Sequence, residues 1–342
     1  SKKEGGEWAQ GRATSGAAAG YYARALMQRH KYEDALKVLK EIMEGTYGHY
    51  DLVANYGDNF REGKAYENND ESLFEVQFLD FGTQGTDEEW TPVNTSPNAT
   101  QGHAIESNFA PGSKGGWADI AASPWLYGLF KAERTTSNGL DPRLYWTIGT
   151  YEPQWNNFEY GNVCYGAPMT ANEPIITNNN FGGLPIAKHT NFRTGLYDKV
   201  TTGLKCGINV RLMRYSDVLL RAAECEIEAH GDAGIEQALT WINQVRNRVN
   251  LPALKKADFT TANALFEQIA NVERPKEFGC EFGRGFDLIR WGFFYDEGRL
   301  AQLKDHGSFM KSTDKTTVKT LITYDDVKAD PENCKSSYDT YL

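Results

Sequence analysis

The sequence has little of what a membrane span or a nucleic-acid surface requires. Mean hydropathy over the 342 residues is -0.58, and the most apolar stretch, residues 17–27, is interrupted by Gly20 and Arg24. This stretch is well short of the ~20 apolar residues that a transmembrane helix needs. Lys and Arg number 36 against 46 Asp and Glu, and the formal net charge of -10 repels phosphate backbones and anionic lipid. We therefore expect neither a bilayer span nor a nucleic-acid partner.

Residues suited to metal and cofactor chemistry are also sparse. The five cysteines form no CxxC pair, and no two of the six histidines lie within five residues of each other. No GxSxG, P-loop, HExxH or dinucleotide-binding motif occurs. The acidic run ENNDES at 67–72 lacks the Gly and the terminal Glu of a calcium loop, which predicts a solvated turn. We expect no metal and no cofactor, and the common hydrolase, nucleotide-binding and zinc-protease functions lack their usual local motifs. The cysteines are Cys164, Cys206, Cys225, Cys280 and Cys334.

The first 60 residues predict a helical hairpin. Thr14 or Ser15 can cap a first helix, and a second helix follows from Tyr32, with Gly45 placed to close it as a left-handed C-cap. Two short antiparallel helices of this kind are typical of a tetratricopeptide-like unit, which cannot bury its apolar face alone. The helical period predicts that the inward residues are Ala18, Tyr21, Tyr22, Ala25 and Leu26 in the first helix and Ala35, Leu36, Leu39, Ile42 and Met43 in the second.

A second hairpin of the same kind lies at 215–245, with a turn at HGDAG, 230–234. We expect the two hairpins to stack. Further helical segments are predicted at 262–278, kinked or restarted at Pro275, and at 286–294. The predicted inward residues are Tyr215, Val218, Leu219, Ala222 and Cys225, followed by Ile235, Ala238, Leu239, Ile242 and Val245.

The middle of the chain, 61–205, has a different composition. It holds nine of the 12 prolines and five of the eight tryptophans, with no sustained helical period. A loop-rich segment of this length that is also rich in aromatics is typically ordered and functional. Alternation in ESLFEVQF, 71–78, predicts a half-buried strand with Phe74, Val76 and Phe78 on one face, and PIIT and LYWTIG are further strand candidates.

The tryptophans of this insertion are candidate ligand contacts. An indole face can stack on the C–H face of a sugar ring while neighbouring polar side chains bond its hydroxyls. Trp125 and Trp146 have apolar neighbours, which favours packing. For Trp90, Trp117 and Trp155 the sequence leaves two interpretations open, a glycan-stacking residue or a loop anchor. Further glycan-stacking candidates are Tyr160, Tyr165 and Phe181.

A resemblance to a known family rests on five stretches in the family's order. QIANVERPKEFGCEFGRGFDLIRWGFF, 268–294, resembles the C-terminal signature of SusD/RagB-like proteins, the nutrient-binding outer-membrane lipoproteins of certain bacteria. The resemblance implies that Arg284, Asp287, Arg290 and Trp291 are structural, forming an ion-paired aromatic belt that fastens the last helices. The other stretches begin with GRATSGAAAG, NNDESLFEVQF, LDPRLYWTIG and LMRYSDVLLR.

The resemblance also implies the architecture. We expect a mainly α protein, a tetratricopeptide-like α-superhelix carrying a long loop-rich insertion with a few short strands. Within one SusD-like domain, the predicted segments are the hairpin at 1–60, the aromatic insertion and candidate ligand surface at 61–205, the C-terminal repeat and signature at 206–300, and an irregular tail at 301–342. The chain corresponds to the C-terminal two-thirds of such a protein.

The function implied by the resemblance is non-catalytic binding of oligo- or polysaccharide, less often peptide, for delivery to a SusC-like TonB-dependent transporter. Such a protein is a cell-surface lipoprotein of the outer membrane, and its lipid anchor would lie outside this chain. Two other functions stay open on the residues alone. One is a glycoside hydrolase on an α-helical frame, because 46 acidic residues offer many carboxylate pairs. The other is a protein-interaction scaffold that binds no glycan.

Overall fold

The structure is a computed structural model that describes residues 11–78, 102–170, 184–194, 206–281 and 283–305. Four short strands form two antiparallel pairs, β1 (Ser72–Val76) with β4 (Val210–Arg214) and β2 (Val163–Cys164) with β3 (Ala167–Pro168). Within these ranges no helix is long and apolar enough to span a membrane. Helices α1 to α11 span, in order, Ser15–Gln28, Tyr32–Met43, Ile105–Phe109, Pro124–Lys131, Pro142–Thr147, Tyr215–His230, Ile235–Arg248, Ala262–Gln268, Arg274–Phe278, Arg284–Arg290 and Glu297–Asp305.

The two predicted hairpins are present and stacked. Helix α2 packs against both α1 and α6, and α6 packs against α7. Thr14 caps α1 by accepting the Ala17 N–H at 3.2 Å, and Gly45 follows α2 with a φ of +79°, as the left-handed C-cap requires. Helix α6 is buried on all sides through most of its length, because it lies between α2 and α7. The prediction of stacked helical hairpins is confirmed.

The predicted buried face of α1 is wrong except at Leu26, which is buried. Its inward residues are mainly small, and Tyr21 and Tyr22 are 40% and 58% exposed. The reason is close packing, since a Cβ at Gly16 would lie 2.1 Å from the Tyr50 hydroxyl oxygen and one at Gly20 would lie 2.3 Å from the Met213 sulfur. Small residues allow the helix to approach β1 and β4, so the tyrosines turn outward. The buried α1 residues are Gly16, Ala17, Ala19, Gly20, Ala23, Leu26 and Met27.

The insertion begins and ends at the β1–β4 pair, in which Ser72 lies opposite Arg214 and Val76 opposite Val210. Strand β1 buries Leu73 and Glu75, whereas Phe74 is only partly buried and Val76 is 40% exposed. The expected apolar inner face is therefore wrong, because Glu75 turns inward to pair with the Arg211 guanidinium at 3.2 Å. An ion pair has replaced the apolar alternation that a strand normally shows.

Three other predictions are corrected. LYWTIG is not a strand at Trp146, because the Asp141 carboxylate caps the Arg143 N–H and Pro142 starts α5. The run at 67–72 is not wholly solvated, since Glu71 is fully buried against arginines. The tail is helical at its start, as α11 continues to residue 305. The predicted strand PIIT and the rest of the tail lie outside the described residues.

The helical frame and the insertion have separate apolar cores. The larger core is built from α1, α2, α6, α7, α8 and the Leu288–Phe293 region. The second core lies in the insertion, where Phe130, Leu144, Tyr145 and Trp155 are almost completely buried. Between 262 and 278 the chain forms α8, a π-helical turn at Ile269–Glu273, and α9, with Pro275 in the first turn of α9 as predicted. The second core makes the insertion a packed body that can present surface loops in fixed positions.

Candidate functional site

The loop that carries Trp117 is held by main-chain hydrogen bonds. The Trp117 N–H donates to the Ser107 carbonyl at 2.7 Å, and the Ile120 N–H donates to the Asn108 carbonyl at 3.2 Å. A Cβ at Gly116 would lie 2.1 Å from the Ala110 carbonyl oxygen, so only glycine permits this approach. The backbone on both sides of Trp117 is thereby fixed against α3.

The Trp117 side chain is exposed although its backbone is fixed. The residue is 45% exposed, and Ile120, three positions on, is 52% exposed. Asp119 and Ser113 are exposed and Lys114 is partly exposed, so residues close to Trp117 in sequence offer groups that can bond hydroxyls. An exposed apolar ring on a fixed backbone, with polar residues nearby in sequence, has the chemistry of a sugar-stacking platform.

Trp155 is in the core, which corrects its candidacy as a sugar contact. It is 0% exposed and packs edge-on against Tyr145 and Phe158, with ring centroids 5.3 and 4.8 Å away. Tyr165 is 3% exposed and packs on Phe192 at 5.6 Å, so it too has no face open to a ligand. Each ring is already covered by other aromatic rings. Trp90 and Phe181 lie outside the described residues.

Tyr160 is half-buried at the edge of an aromatic cluster around Arg61. The Arg61 guanidinium lies over the rings of Tyr66, Trp146 and Tyr160, at 4.9, 5.0 and 5.2 Å from their centroids. It also donates to the exposed carboxylate of Glu159. Burial raises the pKa of the Tyr160 hydroxyl to about 12, so this hydroxyl is a neutral donor at physiological pH. The cluster presents tyrosine edges, a carboxylate and the exposed Asn157 to solvent.

The structure brings some of the candidate residues together and not others. Rings of Trp155, Tyr145, Trp146 and Tyr160 form a continuous chain from the core to the surface. Trp117 belongs to a different loop. Sequence reasoning missed Arg61, Tyr66 and Glu159 as members of the Tyr160 cluster. Glu159 lies 98 positions after Arg61, and no short-range pattern joins residues so far apart.

Three of the four signature residues join a buried ion network. The Arg290 guanidinium donates to Glu224 and Asp287, and the Trp291 indole N–H donates to Glu224 at 2.8 Å. Burial alone would raise the pKa of Asp287, but the Arg221, Arg274 and Arg290 guanidiniums hold that pKa well below its usual range. The stabilising role of these residues stays a prediction.

Arg284 differs from the expectation of an ion-paired belt. Among the described residues it has no carboxylate partner and instead donates to the Ala270 carbonyl at 3.2 Å, with its guanidinium over the Trp125 ring at 5.6 Å. Trp125 itself packs against the second core while staying partly exposed. Arg284 therefore differs from Arg290, the other signature arginine, which pairs with two carboxylates.

The described residues contain no group of three or more His, Cys, Asp or Glu arranged to hold a metal ion. Four cysteines fall in the described ranges and are free, and burial raises the pKa of the Cys164 and Cys280 thiols to about 12. Those two thiols are neutral at physiological pH, and a neutral thiol is a poor nucleophile and metal ligand.

Comparison with known proteins shows where the fold recurs. Residues 70–341 match the SusD family. The SusD-like protein P25 of Formosa agariphila is 26% identical over 302 residues, which is 84% of this chain and 51% of that protein. This chain thus spans about half the length of the curated relative.

Solved structures share the fold at low sequence identity. A SusD superfamily protein from Bacteroides vulgatus superposes with a TM-score of 0.62 at 23% identity, covering 94% of this chain and 62% of that one. Surface glycan-binding protein A from Bacteroides thetaiotaomicron, solved in complex with laminarihexaose, gives a TM-score of 0.54 at 24% identity, covering 85% of this chain and 57% of that one. The family match extends over more than half of the chain and includes the signature at 268–294. The resemblance is therefore confirmed, and this chain belongs to the SusD family.

Proposed function

We propose that this protein binds oligo- or polysaccharide without catalysis at the bacterial cell surface and passes it to a SusC-like TonB-dependent transporter in the outer membrane. Membership of the SusD family supports this role. A structure of a similar protein, surface glycan-binding protein A, contains laminarihexaose. The surface position and the transporter partner rest on the family alone, whereas glycan binding is also supported by the geometry of the insertion.

The observation that carries the proposal is the exposed Trp117 on its fixed loop. A sugar face that covers part of this indole removes apolar area from water, at about 25 cal/mol per Å². By analogy with stacking on nucleic-acid bases, one such contact contributes about 1 to 3 kcal/mol. Two or three contacts give affinities of about micromolar to millimolar, which is weak enough for release to a transporter. Tyr160, and Trp90 and Phe181 outside the described residues, are proposed as further contacts.

Affinity electrophoresis through gels that each contain one polysaccharide tests this proposal. We expect at least one neutral glycan to retard the protein, and Trp117→Ala to weaken that retardation about tenfold or more, the effect of losing roughly 1.4 kcal/mol. Tyr295→Ala is the matched control, because Tyr295 is 75% exposed and lies in the turn before α11, far from the insertion in sequence. Both variants should melt within a few degrees of the parent. Trp90→Ala is measured in parallel.

Two outcomes would contradict the proposal. If Trp117→Ala binds every retained glycan as the parent does, while its melting temperature falls substantially, the indole is a loop anchor. If reducing sugar accumulates with time when the protein is incubated with a bound glycan, the protein is a hydrolase. Transporter delivery is tested separately by co-purification with a SusC-like transporter from the same organism. If no complex forms, the proposed delivery to a transporter is wrong, but the proposed glycan binding is not affected.

A further inference from the structure

A small cavity rich in arginine lies where α1, β4, α6, α9 and the start of α10 meet. Its volume is about 30 Å³, room for about two water molecules. Its charged lining consists of six arginines and three carboxylates: Arg24, Arg211, Arg214, Arg221, Arg274 and Arg284, with Asp217, Glu281 and Asp287. The cavity is too small to enclose a sugar ring.

The ion network beside this cavity has more positive than negative groups. The network contains five guanidiniums and three carboxylates, but only the guanidiniums of Arg221, Arg274 and Arg290 form its ion pairs. Asp217 pairs with Arg221 and Arg274, Asp287 with Arg221, Arg274 and Arg290, and Glu224 with Arg290. Arg24 and Arg284 have no carboxylate within ion-pair distance among the described residues. The excess of two positive charges therefore belongs to Arg24 and Arg284.

A second ion network, whose members Arg211, Arg214 and Glu281 also line the cavity, is balanced in charge. In it, five cations face five carboxylates. The cations are Arg143, Lys188, Arg211, Arg214 and Arg248, and the carboxylates are Glu71, Glu75, Asp141, Glu277 and Glu281. A buried network in a folded protein normally pairs its charges in this way, because an unpaired buried charge is costly. Arg24 and Arg284 are partly buried and, among the described residues, have no carboxylate of this kind within ion-pair distance.

Arg24 and Arg284 lie on either side of the same turn. A Cβ built on Gly283 would lie 3.6 Å from Nη2 of Arg24, and Arg284 is the next residue. The φ of Gly283 is +137°, which a residue with a side chain rarely adopts, so a glycine keeps this turn narrow. The turn therefore brings two unmatched guanidiniums to the rim of one cavity.

Three guanidinium nitrogens of the arginines that line the cavity are buried without a hydrogen-bond acceptor, Nε of Arg211, Nη1 of Arg274 and Nη2 of Arg284. The Arg211 nitrogen still lies 3.2 Å from the Glu75 carboxylate. Arg274 is 6% exposed. Burial lowers the pKa of Arg284 to about 10, with a smaller contribution from the positive charge of Arg274. Burial, and next the positive charge of Arg221, also lowers the pKa of Arg24. A bound anion would stabilise both protonated side chains and so raise these two pKa values.

We infer that this cavity binds a single oxyanion, a carboxylate, sulfate or phosphate group, between Arg24, Arg274 and Arg284. Guanidiniums recognise such groups through paired N–H donors, and these charge-assisted bonds are roughly twice as strong as neutral ones. The site lies on the helical frame and is separate from the Trp117 loop. It goes beyond the proposed glycan binding and does not depend on it.

Thermal melting in anion titrations tests the site directly. Sulfate, phosphate and acetate are each titrated against chloride at constant ionic strength, because only an ion that binds the native state raises the melting temperature in a saturable way. We expect at least one oxyanion to do so. A second comparison uses glucuronic acid and glucose. If glucuronic acid raises the melting temperature more than acetate does, the acidic group that the site binds is carried on a sugar. If the two raise the melting temperature equally, the site binds a free oxyanion.

Arg24→Gln is the decisive variant, with Arg29→Gln as its control. Both change one arginine of the same helical hairpin to the same residue, but Arg29 is exposed at the end of α1 and does not line the cavity. Arg24→Gln should reduce oxyanion affinity about tenfold or more, and without added oxyanion it should melt no lower than the parent, since it removes an unmatched charge. Arg284→Gln should reduce affinity similarly. The inference is overturned if no oxyanion differs from chloride, or if Arg24→Gln responds as Arg29→Gln does.

Discussion

Glu277 should be among the most sensitive single positions of the fold, because it joins the insertion to the helical frame. Its carboxylate accepts from Arg143 of α5 at 3.1 Å, from Arg214 of β4 at 2.8 Å, and from Arg248 of α7. Its main-chain carbonyl accepts from the Tyr56 hydroxyl at 2.8 Å and from Lys188 at 3.3 Å. One residue of α9 thus contacts elements from both cores.

The cost of Glu277→Gln follows from these contacts. Glutamine keeps the size of the side chain but removes its negative charge. Three guanidiniums that are at most 2% exposed then lose part of the negative charge that balances them. Breaking a buried ion pair from one side typically costs about 3 to 5 kcal/mol. Burial alone would raise the pKa of Glu277, but Arg248, Arg214 and Arg143 hold it well below its usual range. The ionised form is therefore the one that the folded protein stabilises.

Urea unfolding at pH 7, followed by tryptophan fluorescence, measures the effect. The control is Glu267→Gln, the same substitution in the neighbouring helix α8, where Glu267 and its partner Arg299 are 33% and 23% exposed. Solvent-accessible pairs are worth about 0 to 1 kcal/mol, so the control midpoint should stay close to that of the parent. If the two variants differ by less than about 1 kcal/mol, the Glu277 network does not carry the stability that its geometry implies.

Three further changes test other parts of the structure. His103 accepts the Ile105 N–H at Nδ1 and contacts the Ile208 carbonyl through Nε2, and burial lowers its pKa from 6.5 to about 4. Only the unfolded chain then binds a proton between these pH values, so stability should fall as the pH drops from about 6.5 to 4, by about 3 kcal/mol. His103→Gln should reduce that loss in urea titrations, whereas His49→Gln, at an exposed position, should not. Trp291→Ala should cost about 3 to 5 kcal/mol of stability without changing glycan retention, and Trp291→Phe clearly less, because phenylalanine can still pack on Phe266. Gly57→Ala should cost about 1 to 3 kcal/mol, since its Cβ would lie 2.0 Å from the Trp146 ring, while Gly285→Ala, with no atom within 4 Å, should cost nothing.

The helical frame could be predicted because its signals are local. Apolar residues three and four positions apart identified α2, α6 and α7, and their short turns made neighbouring helices antiparallel. The face of α1 was mispredicted because hydrophobicity favours tyrosine over glycine, whereas close helix packing favours glycine. The start of α5 did carry a local signal, an Asp-Pro pair at 141–142 that caps a helix. Aromatic content outweighed that signal in the strand prediction.

The candidate site was less predictable because exposure is set by distant residues. Trp117 and Trp155 have similar polar neighbours in sequence, yet Trp155 is covered by Tyr145 and Phe158 and Trp117 is open. Buried acids were missed for the same reason. Glu71 lies in a polar run, and only the fold brings Arg214 and Arg248 to it. Contacts between residues more than 100 positions apart leave no periodic trace in a single sequence.

The buried ions give the insertion a directional attachment that apolar packing alone would not. The insertion lacks the helical repeat by which the frame stacks its own elements, and an apolar interface tolerates small rotations. Three ion pairs make this attachment: Arg143 with Glu277, Lys188 with Glu281, and Glu75 with Arg211. Each pair requires its two partners at a fixed distance and angle. We therefore expect Glu277→Gln, even where it remains folded, to loosen the position of the Trp117 loop relative to the frame. Glycan retention by the folded variant should then fall, although Glu277 is fully buried and cannot touch a glycan. If the variant instead retains glycan as well as Glu267→Gln does, the network stabilises the protein without orienting its ligand surface.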